Sequence, residues 1–174
     1  SKRDLITLIP IMFLVIIVFL VLLLKSKSAT LVVFSMVGVA VSISFGLGSL
    51  FGIELTPPSA AAAPIIMMLS IADSVHLLLG YYKNYRLNGG DKTGAMRASL
   101  NANFTPITLT TITTVIGFLT MNFSESPPFH DLGNLVAIGS FAAYVLTIAL
   151  LPILVVRLPV GAVSGDDKLV VGIQ

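Results

Sequence analysis

Cysteine is absent from the 174-residue sequence, and only 10% of the residues are charged. Without cysteine the chain has no disulfide framework, thiolate nucleophile, zinc ribbon or haem attachment site, and its redox compartment is left undetermined. The scarcity of charge, with 56% hydrophobic residues and a mean hydropathy of +1.01, excludes an ordinary soluble domain and indicates an integral membrane protein. The formal net charge of +2 comes from Lys and Arg residues between apolar runs, so it does not indicate nucleic-acid binding.

Long hydrophobic runs dominate the rest of the sequence. Each is close to the roughly 20 residues that a helix needs to cross a bilayer. The five runs cover about 5–24, 29–51, 60–82, 104–123 and 132–156. They predict an all-α polytopic membrane protein with a five-helix transmembrane domain over residues 1–160, followed by a cytoplasmic tail or linker at 161–174. The first run is too long for the apolar region of a signal peptide, so we interpret it as a true span.

The charged residues between the runs predict the orientation. Positive residues occur in the segments after the first, third and fifth runs, namely Lys25, Lys27, Lys83, Arg86, Lys92, Arg97, Arg157 and Lys168. The alternate connections contain Glu54, Glu125 and Asp131, and neither Lys nor Arg. Because positively charged loops stay in the cytoplasm, we expect the amino terminus outside and the carboxyl terminus inside. An outside amino terminus without a cleavable signal requires an upstream element, so we expect a larger protein.

Asp73 lies near the middle of the third run, with His76 about one helical turn further on. Ser70, Ser74 and Leu77 are expected on the same side of the helix, facing other helices. An intramembrane acid is costly unless something pairs or uses it, and no Lys or Arg lies inside any run. Burial then favours the neutral acid, which makes Asp73 a candidate proton carrier. An acid that only bonds a neighbouring helix is the alternative, and His76 is open to a relay or a structural role.

Threonines are concentrated in the fourth run. They are Thr105, Thr108, Thr110, Thr111, Thr113, Thr114 and Thr120. Their hydroxyls can bond carbonyls of their own helix or supply a partner for the central acid. Thr110, Thr113 and Thr114 are the candidates for the proton relay on this helix.

Small residues recur at four-residue spacing on the second run, at Gly38, Ser42 and Gly46. Together with Gly117 on the fourth run, they are expected to pack closely against a neighbouring helix. The sequence contains no nucleophile, base and orienter set, no phosphate-binding glycine loop and no metalloprotease motif. We therefore expect no enzyme, no metal site and no cofactor.

Several short motifs succeed one another along the chain. They are Ser70–Leu78, Asn103–Ile107, Leu109–Thr114, Gly117–Phe118, Pro127–Pro128, Gly133, Ala137–Gly139 and Leu151–Pro152. Their joint order resembles the resistance-nodulation-division (RND) superfamily, and most of all its MMPL and hopanoid-exporter branch, whose relatives include Patched and Niemann-Pick proteins. The resemblance implies two pseudo-symmetric halves, each with a first helix, a large extracytoplasmic domain and five more helices. This chain looks like the last five helices of one half.

In that family an acid in the corresponding helix serves proton relay, and Asp73 matches it. Leu69 stands where the family usually has a glycine, and Ser74 where a tyrosine or second acid is common, so the detailed relay geometry does not transfer. The resemblance implies proton-driven export of hydrophobic or amphipathic substrates, such as lipids and drugs, across a bacterial inner membrane. The implied partners are protons, membrane lipids, the substrate, and the other half and extracytoplasmic domain of the same transporter. A homo-oligomer is left open.

Two further interpretations stay open. Five such helices also resemble a sterol-sensing domain, which binds lipid or a partner and regulates rather than pumps. Pro57, Pro58 and the grooves between helices would then matter more than the acid. A membrane scaffold in which Asp73 only fixes packing is the third interpretation. Dependence of function on Asp73 and on a proton gradient separates the transporter from both.

Overall fold

A computed structural model of the chain describes residues 26–87 and 89–158, together with Val15, Val18 and Val21. The described residues form helices and connections and contain no strand. Four segments are long and apolar enough to cross a membrane, namely Lys27–Leu50, Pro57–Leu87, Lys92–Phe123 and Pro127–Arg157. The predicted all-α polytopic fold is thereby confirmed. Apart from the three helical valines, the first predicted run and the tail lie outside the described residues, so the count of five helices and their orientation stay predictions.

The first described helix, α1 (Lys27–Leu50), begins at a side-chain cap. Ser26 Oγ accepts the Ala29 amide at 3.4 Å, and the Thr30 hydroxyl donates to the Ser26 carbonyl at 3.0 Å. These bonds satisfy groups that the start of a helix leaves free. Buried residues recur every three or four positions, as one helix face requires. They are Ala29, Thr30, Val32, Val33, Met36, Val37, Ala40, Ser44 and Gly48.

A proline pair starts the second membrane segment. Thr56 caps the short α2 (Pro57–Ala60) and forms a capping box with Ser59, in which each side chain accepts the other residue's backbone amide. The long α3 (Ala62–Leu87) comes next and continues beyond the predicted end of the third run near residue 82. The extension is polar, and polar residues that lower the hydropathy of a window can still continue a helix at the membrane surface.

The third segment begins where Asp91 caps α4 (Lys92–Leu119), its carboxylate accepting a backbone amide two residues on at 3.0 Å. This helix begins well before the fourth apolar run and continues through it, with Pro106 inside it. Proline has no N–H, so the carbonyl of Ala102 loses its usual helical donor. The backbone oxygen of Ala102 is therefore a polar group within this membrane segment that lacks its usual intrahelical hydrogen bond.

After a 3₁₀ turn (Thr120–Phe123), the last membrane segment has three parts. They are α5 (Pro127–Val145), a π-helical turn (Leu146–Leu150) and α6 (Leu151–Arg157). The first amide of α6 donates to the carbonyl five residues earlier, which defines the π turn. Pro152 comes directly after it, and its missing N–H and bulky ring disfavour a regular α-helical ladder there. The continuous apolar run at 132–156 did not reveal this change of helix type.

Two clusters of buried apolar side chains hold the helices together. One joins α1, α3, the start of α4 and α6, and includes Met36, Tyr81 and Leu151. The other joins α1, the start of α3 and α5, and includes Ile66 and Val136. Among helices surrounded by lipid tails, such contacts act through van der Waals packing rather than removal from water. They place α3 in contact with α1, α4 and α5.

Glycines on α5 permit two close helix approaches. A Cβ atom on Gly139 would overlap Ile66 Cδ1 of α3, and one on Gly133 would overlap the Phe118 carbonyl oxygen of α4. Both glycines are buried. The absence of a side chain therefore sets the spacing of α5 from each neighbour.

The small residues singled out from the sequence lie elsewhere. Gly38, Ser42, Gly46 and Gly117 are exposed, and a Cβ on any of the three glycines would meet no described atom within 4 Å. Ser42 Oγ donates to the Gly38 carbonyl of its own helix at 2.8 Å. The described part of the chain thus supplies no close packing partner for the three glycines, and Ser42 bonds its own helix. Their packing role stays a prediction for a neighbour outside that part.

Charges divide between the two ends of the bundle. One end, formed by the start of α1, the end of α3, the start of α4 and the end of α6, is called here the basic end. It carries Lys27, Lys83, Arg86, Lys92, Arg97 and Arg157. The opposite end carries Glu54, Glu125 and Asp131, with neither Lys nor Arg among the residues from 51 to 61 and from 120 to 131. This division is the one that the predicted orientation requires.

Candidate functional site

A cavity of about 220 Å³ lies between α3, α4 and α5, near the middle of their membrane segments. We call it the Asp73 groove. Its walls are formed by Leu69, Ala72, Asp73, His76, Asn103, Pro106, Ile107, Thr110, Thr111, Thr114 and Ser140. A water molecule occupies about 30 Å³ in the liquid, so the groove has room for several waters beside its polar groups.

Asp73 and His76 face this groove together from α3. Residues three apart lie on one helix face, which brings the carboxyl group and the imidazole to the same wall. Asp73 is half-buried and His76 is exposed. The two titratable residues singled out from the sequence therefore share one site.

Ser70, Ser74 and Leu77 face the protein core instead. All three are buried, and the Ser74 hydroxyl lies 3.5 Å from the Thr147 hydroxyl in the π turn. The sequence placed them on one side of the helix with Asp73, and that grouping was too broad. At about 100° per residue, Ser70, Ser74 and Leu77 lie to one side of Asp73 around the helix axis and His76 lies to the other, so the three residues face the core while the acid and the imidazole face the groove.

The structure divides the threonines proposed for the relay. Thr110 and Thr114 line the groove together with Thr111, whereas Thr113 does not. The Thr113 side chain is exposed, and its hydroxyl donates to the Leu109 carbonyl at 2.9 Å or the Thr110 carbonyl at 3.0 Å. Thr113 thus bonds its own helix and lies apart from the acid.

The groove hydroxyls are oriented by their own helix. Thr110 Oγ1 donates to the Pro106 carbonyl, and Thr111 Oγ1 donates to the Ile107 carbonyl at 2.9 Å. A hydroxyl that donates its proton in this way keeps lone pairs that accept hydrogen bonds. A neutral carboxyl group has a proton to donate, so Asp73 in its neutral form is complementary to this wall. Back-bonding and partnership with the acid are therefore compatible.

Two polar residues of the groove were not singled out as candidate site residues. Asn103 is held by a bond from its Nδ2 to the Ser99 carbonyl at 2.9 Å. Ser140 is only 4% exposed, and its Oγ has no hydrogen-bond partner among the described residues. An unsatisfied buried hydroxyl costs about 1–3 kcal/mol, which indicates a water or another polar partner in the groove. Its position as the only serine in the apolar fifth run was the available signal.

One side of the third membrane segment is left uncovered by the residues that the structure describes. In the most apolar 18-residue stretch of this segment 11% is buried against the rest of the bundle, compared with 39–44% in the corresponding stretches of the other three segments. Exposed apolar residues recur along α4 at helical spacing, namely Leu109, Ile112, Ile116 and Leu119. Such a face suits contact with lipid or with a further transmembrane helix.

The chemistry that the groove offers is proton binding. It combines one carboxyl group, one imidazole, several hydroxyls and space for water. Within the described residues, no group of three or more His, Cys, Asp or Glu side chains is placed to hold a metal ion.

Four membrane-length segments around a groove with a central acid define a polytopic membrane protein with a titratable intramembrane site. Residues 1–163 match the MMPL family, and the chain belongs to that family. The resemblance drawn from the order of the motifs is thereby confirmed.

The chain is also similar to a membrane protein of Methanocaldococcus jannaschii, with 30% identity over 118 residues that make up 68% of this chain. It spans 30% of the length of that relative. No solved structure matches the chain.

Proposed function

We propose that this chain is the proton-coupling helix bundle of an RND-type transporter that exports hydrophobic or amphipathic substrates. The observation that carries the proposal is the Asp73 groove, which places an intramembrane acid beside an imidazole, hydroxyls and room for water. Membership of the MMPL family supports the transporter class. The proposal assigns proton uptake and release to Asp73, with His76, Thr110 and Thr114 assisting.

Coupling arises from the different surroundings that the two forms of Asp73 require. The neutral carboxyl group can donate to a hydroxyl oxygen on α4, such as that of Thr110, and this bond favours a closed groove. The ionised form has no proton to donate and is costly in a medium of low polarity, so it requires water or a protonated His76. Loss of the proton therefore favours a hydrated groove with α3 and α4 further apart. Proton transfer and helix movement become linked.

The remaining parts of the transporter lie outside the described residues. We propose that the other half of the transporter covers the open side of α4, and that an extracytoplasmic domain binds the substrate. Membrane lipids surround the bundle, and a bacterial inner membrane provides the proton gradient. Self-association into a homo-oligomer is compatible with this arrangement.

The deciding experiment is substrate efflux by the intact native protein in proteoliposomes with an imposed proton gradient. Asp73→Asn keeps the size and polarity of the side chain but removes the titratable proton. We expect it to abolish gradient-driven efflux. Glu54→Gln is the matched control, because Glu54 is an exposed acid outside the groove, and it should transport like the wild type. Normal efflux by a correctly inserted Asp73→Asn protein would show that the acid is structural.

A lipid-binding regulatory domain of the sterol-sensing kind is the second candidate. It draws support from the exposed face of α4 beside a laterally accessible groove. On this hypothesis Asp73→Asn leaves regulation intact, whereas bulky substitutions that fill the groove, such as Ala72→Phe, disturb it. The two variants, assayed with and without a proton gradient, therefore distinguish the candidates.

A further inference from the structure

A second, shallower cavity with a volume of about 430 Å³ lies at the basic end, between the first turns of α4 and α6, and is wide open to the surface. We call it the arginine cavity. It is lined by Thr93, Met96, Arg97, Leu100, Asn101, Pro152, Ile153, Val156 and Arg157. The proton-coupling proposal uses none of these residues, so a role for the arginine cavity is independent of proton coupling.

Two guanidinium groups provide the charge of this cavity. Arg97 comes from α4 and Arg157 from the last turn of α6, and both are exposed. No Asp or Glu is among the residues that line the cavity. Two positive groups on neighbouring helices, without an acid between them, are complementary to an anion, and guanidinium binds phosphate oxygens in a bidentate manner.

Leu100, Pro152 and Ile153 are apolar and lie deeper along the helices than the two arginines, next to the polar Asn101, whereas Thr93 and Met96 lie nearer the start of α4. Leu100 is one turn beyond Arg97 on α4, and Ile153 is one turn before Arg157 on α6. At 1.5 Å per residue these side chains lie roughly 5 Å further towards the middle of the membrane than the guanidinium-bearing residues. Charge at the rim and apolar surface beneath it match the order of headgroup and acyl chain in a phospholipid.

The position of the arginine cavity along the membrane normal also suits a phospholipid. Lys92 Nζ donates to the Leu158 carbonyl at 3.5 Å, which joins the beginning of α4 to the chain just after α6. The cavity therefore opens where the membrane segments end. Basic pockets between helices on the cytoplasmic side of a membrane are a known arrangement for recognition of anionic lipid headgroups.

We propose that the arginine cavity binds one anionic glycerophospholipid of the adjacent leaflet. Arg97 and Arg157 hold its phosphate group, and an acyl chain lies along Leu100 and Ile153. A net negative headgroup, such as that of phosphatidylglycerol, is preferred over the zwitterionic phosphatidylcholine, because the latter carries a cation that two arginines repel.

The test is native mass spectrometry of the intact protein in detergent, titrated with dioleoyl-phosphatidylglycerol or dioleoyl-phosphatidylcholine. We expect retention of phosphatidylglycerol, with an affinity that falls about fivefold in each of Arg97→Gln and Arg157→Gln and further in the double variant. Arg86→Gln is the matched control, because Arg86 is exposed at the same end but does not line the cavity. It should bind like the wild type.

Two further arms identify the source of the phosphate. Ile153→Ser, which leaves both arginines in place, should weaken binding of the dioleoyl lipid, and soluble glycerol phosphate should fail to displace it. Equal losses in Arg86→Gln and Arg97→Gln would indicate diffuse surface attraction and overturn the proposal. Full competition by glycerol phosphate would indicate an anion site rather than a lipid site. If the double variant Arg97→Gln, Arg157→Gln bound phosphatidylglycerol with wild-type affinity, the lipid-binding proposal would be overturned as well.

Discussion

Replacing Gly139 with alanine tests how closely α5 approaches α3. The added Cβ would overlap Ile66 Cδ1 and lie 2.6 Å from Cγ1 and 3.0 Å from Cγ2. Ile66 is fully buried and branched at Cβ, so it has little freedom to turn aside. Overpacking of this kind costs about 1–3 kcal/mol. Because alanine also favours a helix over glycine by roughly 0.5–1 kcal/mol, we expect Gly139→Ala to lower the free energy of unfolding by up to about 2 kcal/mol.

Gly38→Ala is the matched control on α1. The new Cβ would meet no described atom within 4 Å, and alanine favours a helix over glycine by roughly 0.5–1 kcal/mol. The control should be neutral or slightly stabilising. Reversible unfolding of the intact protein in mixed micelles, monitored by circular dichroism, measures both variants. Equal stability of the two alanine variants would refute the packing argument.

A double substitution locates the effect on the named contact. Ile66→Ala removes all three atoms that the new Cβ would meet and by itself should cost about 2–5 kcal/mol through the cavity it leaves. If the clash with Ile66 is the cause, adding Gly139→Ala to Ile66→Ala should cost much less than it does in the wild type. Strict additivity would show that the destabilisation arises elsewhere.

Two further predictions concern the Asp73 groove. Ser140→Ala removes the buried hydroxyl that has no described partner, and it should reduce gradient-driven efflux several-fold without loss of stability. The control is Ser42→Ala, which removes an exposed hydroxyl bonded to its own helix and should leave efflux unchanged. Equal efflux by the two variants would show that Ser140 takes no part in the proton relay. Thr110→Val should impair efflux more than Thr113→Val, because the first hydroxyl lines the groove and the second does not, and the reverse order in the proteoliposome assay would contradict the assignment.

Hydropathy alone was sufficient for the class of fold. Length and composition predicted membrane helices at the second to fifth runs, and the described segments occupy those parts of the chain. The ends of the helices were harder to predict, since α3 continues through polar residues to Leu87 and α4 begins at Lys92, before its apolar run. The ends of these helices depend on capping residues and on polar residues at the membrane surface, and the mean hydropathy of a stretch of sequence detects neither.

Which helix covers which face could not be obtained from periodicity. Gly38 and Gly139 both occur in runs of small and apolar residues, yet one faces open space among the described residues and the other touches Ile66. A repeat identifies residues that share a face, but the neighbour of that face is set by the arrangement of the whole bundle. The same limit explains why Asp73 and His76 were found while Ser140 was not. An ionisable group in a span stands out from the sequence, whereas a serine does so only through its unsatisfied hydroxyl.

The π turn determines which residues reach the arginine cavity. A π turn takes one more residue per hydrogen-bonded ring than an α-helix, so every side chain after it is rotated by about 100° relative to an uninterrupted helix. Ile153, Val156 and Arg157 face α4 downstream of that offset. A regular α-helical turn with the same number of residues would turn Arg157 away from Arg97, whereas deleting one residue between Leu146 and Leu150 would allow a regular helix to keep Arg157 facing α4. The length of this one turn therefore sets the phase of the helix end.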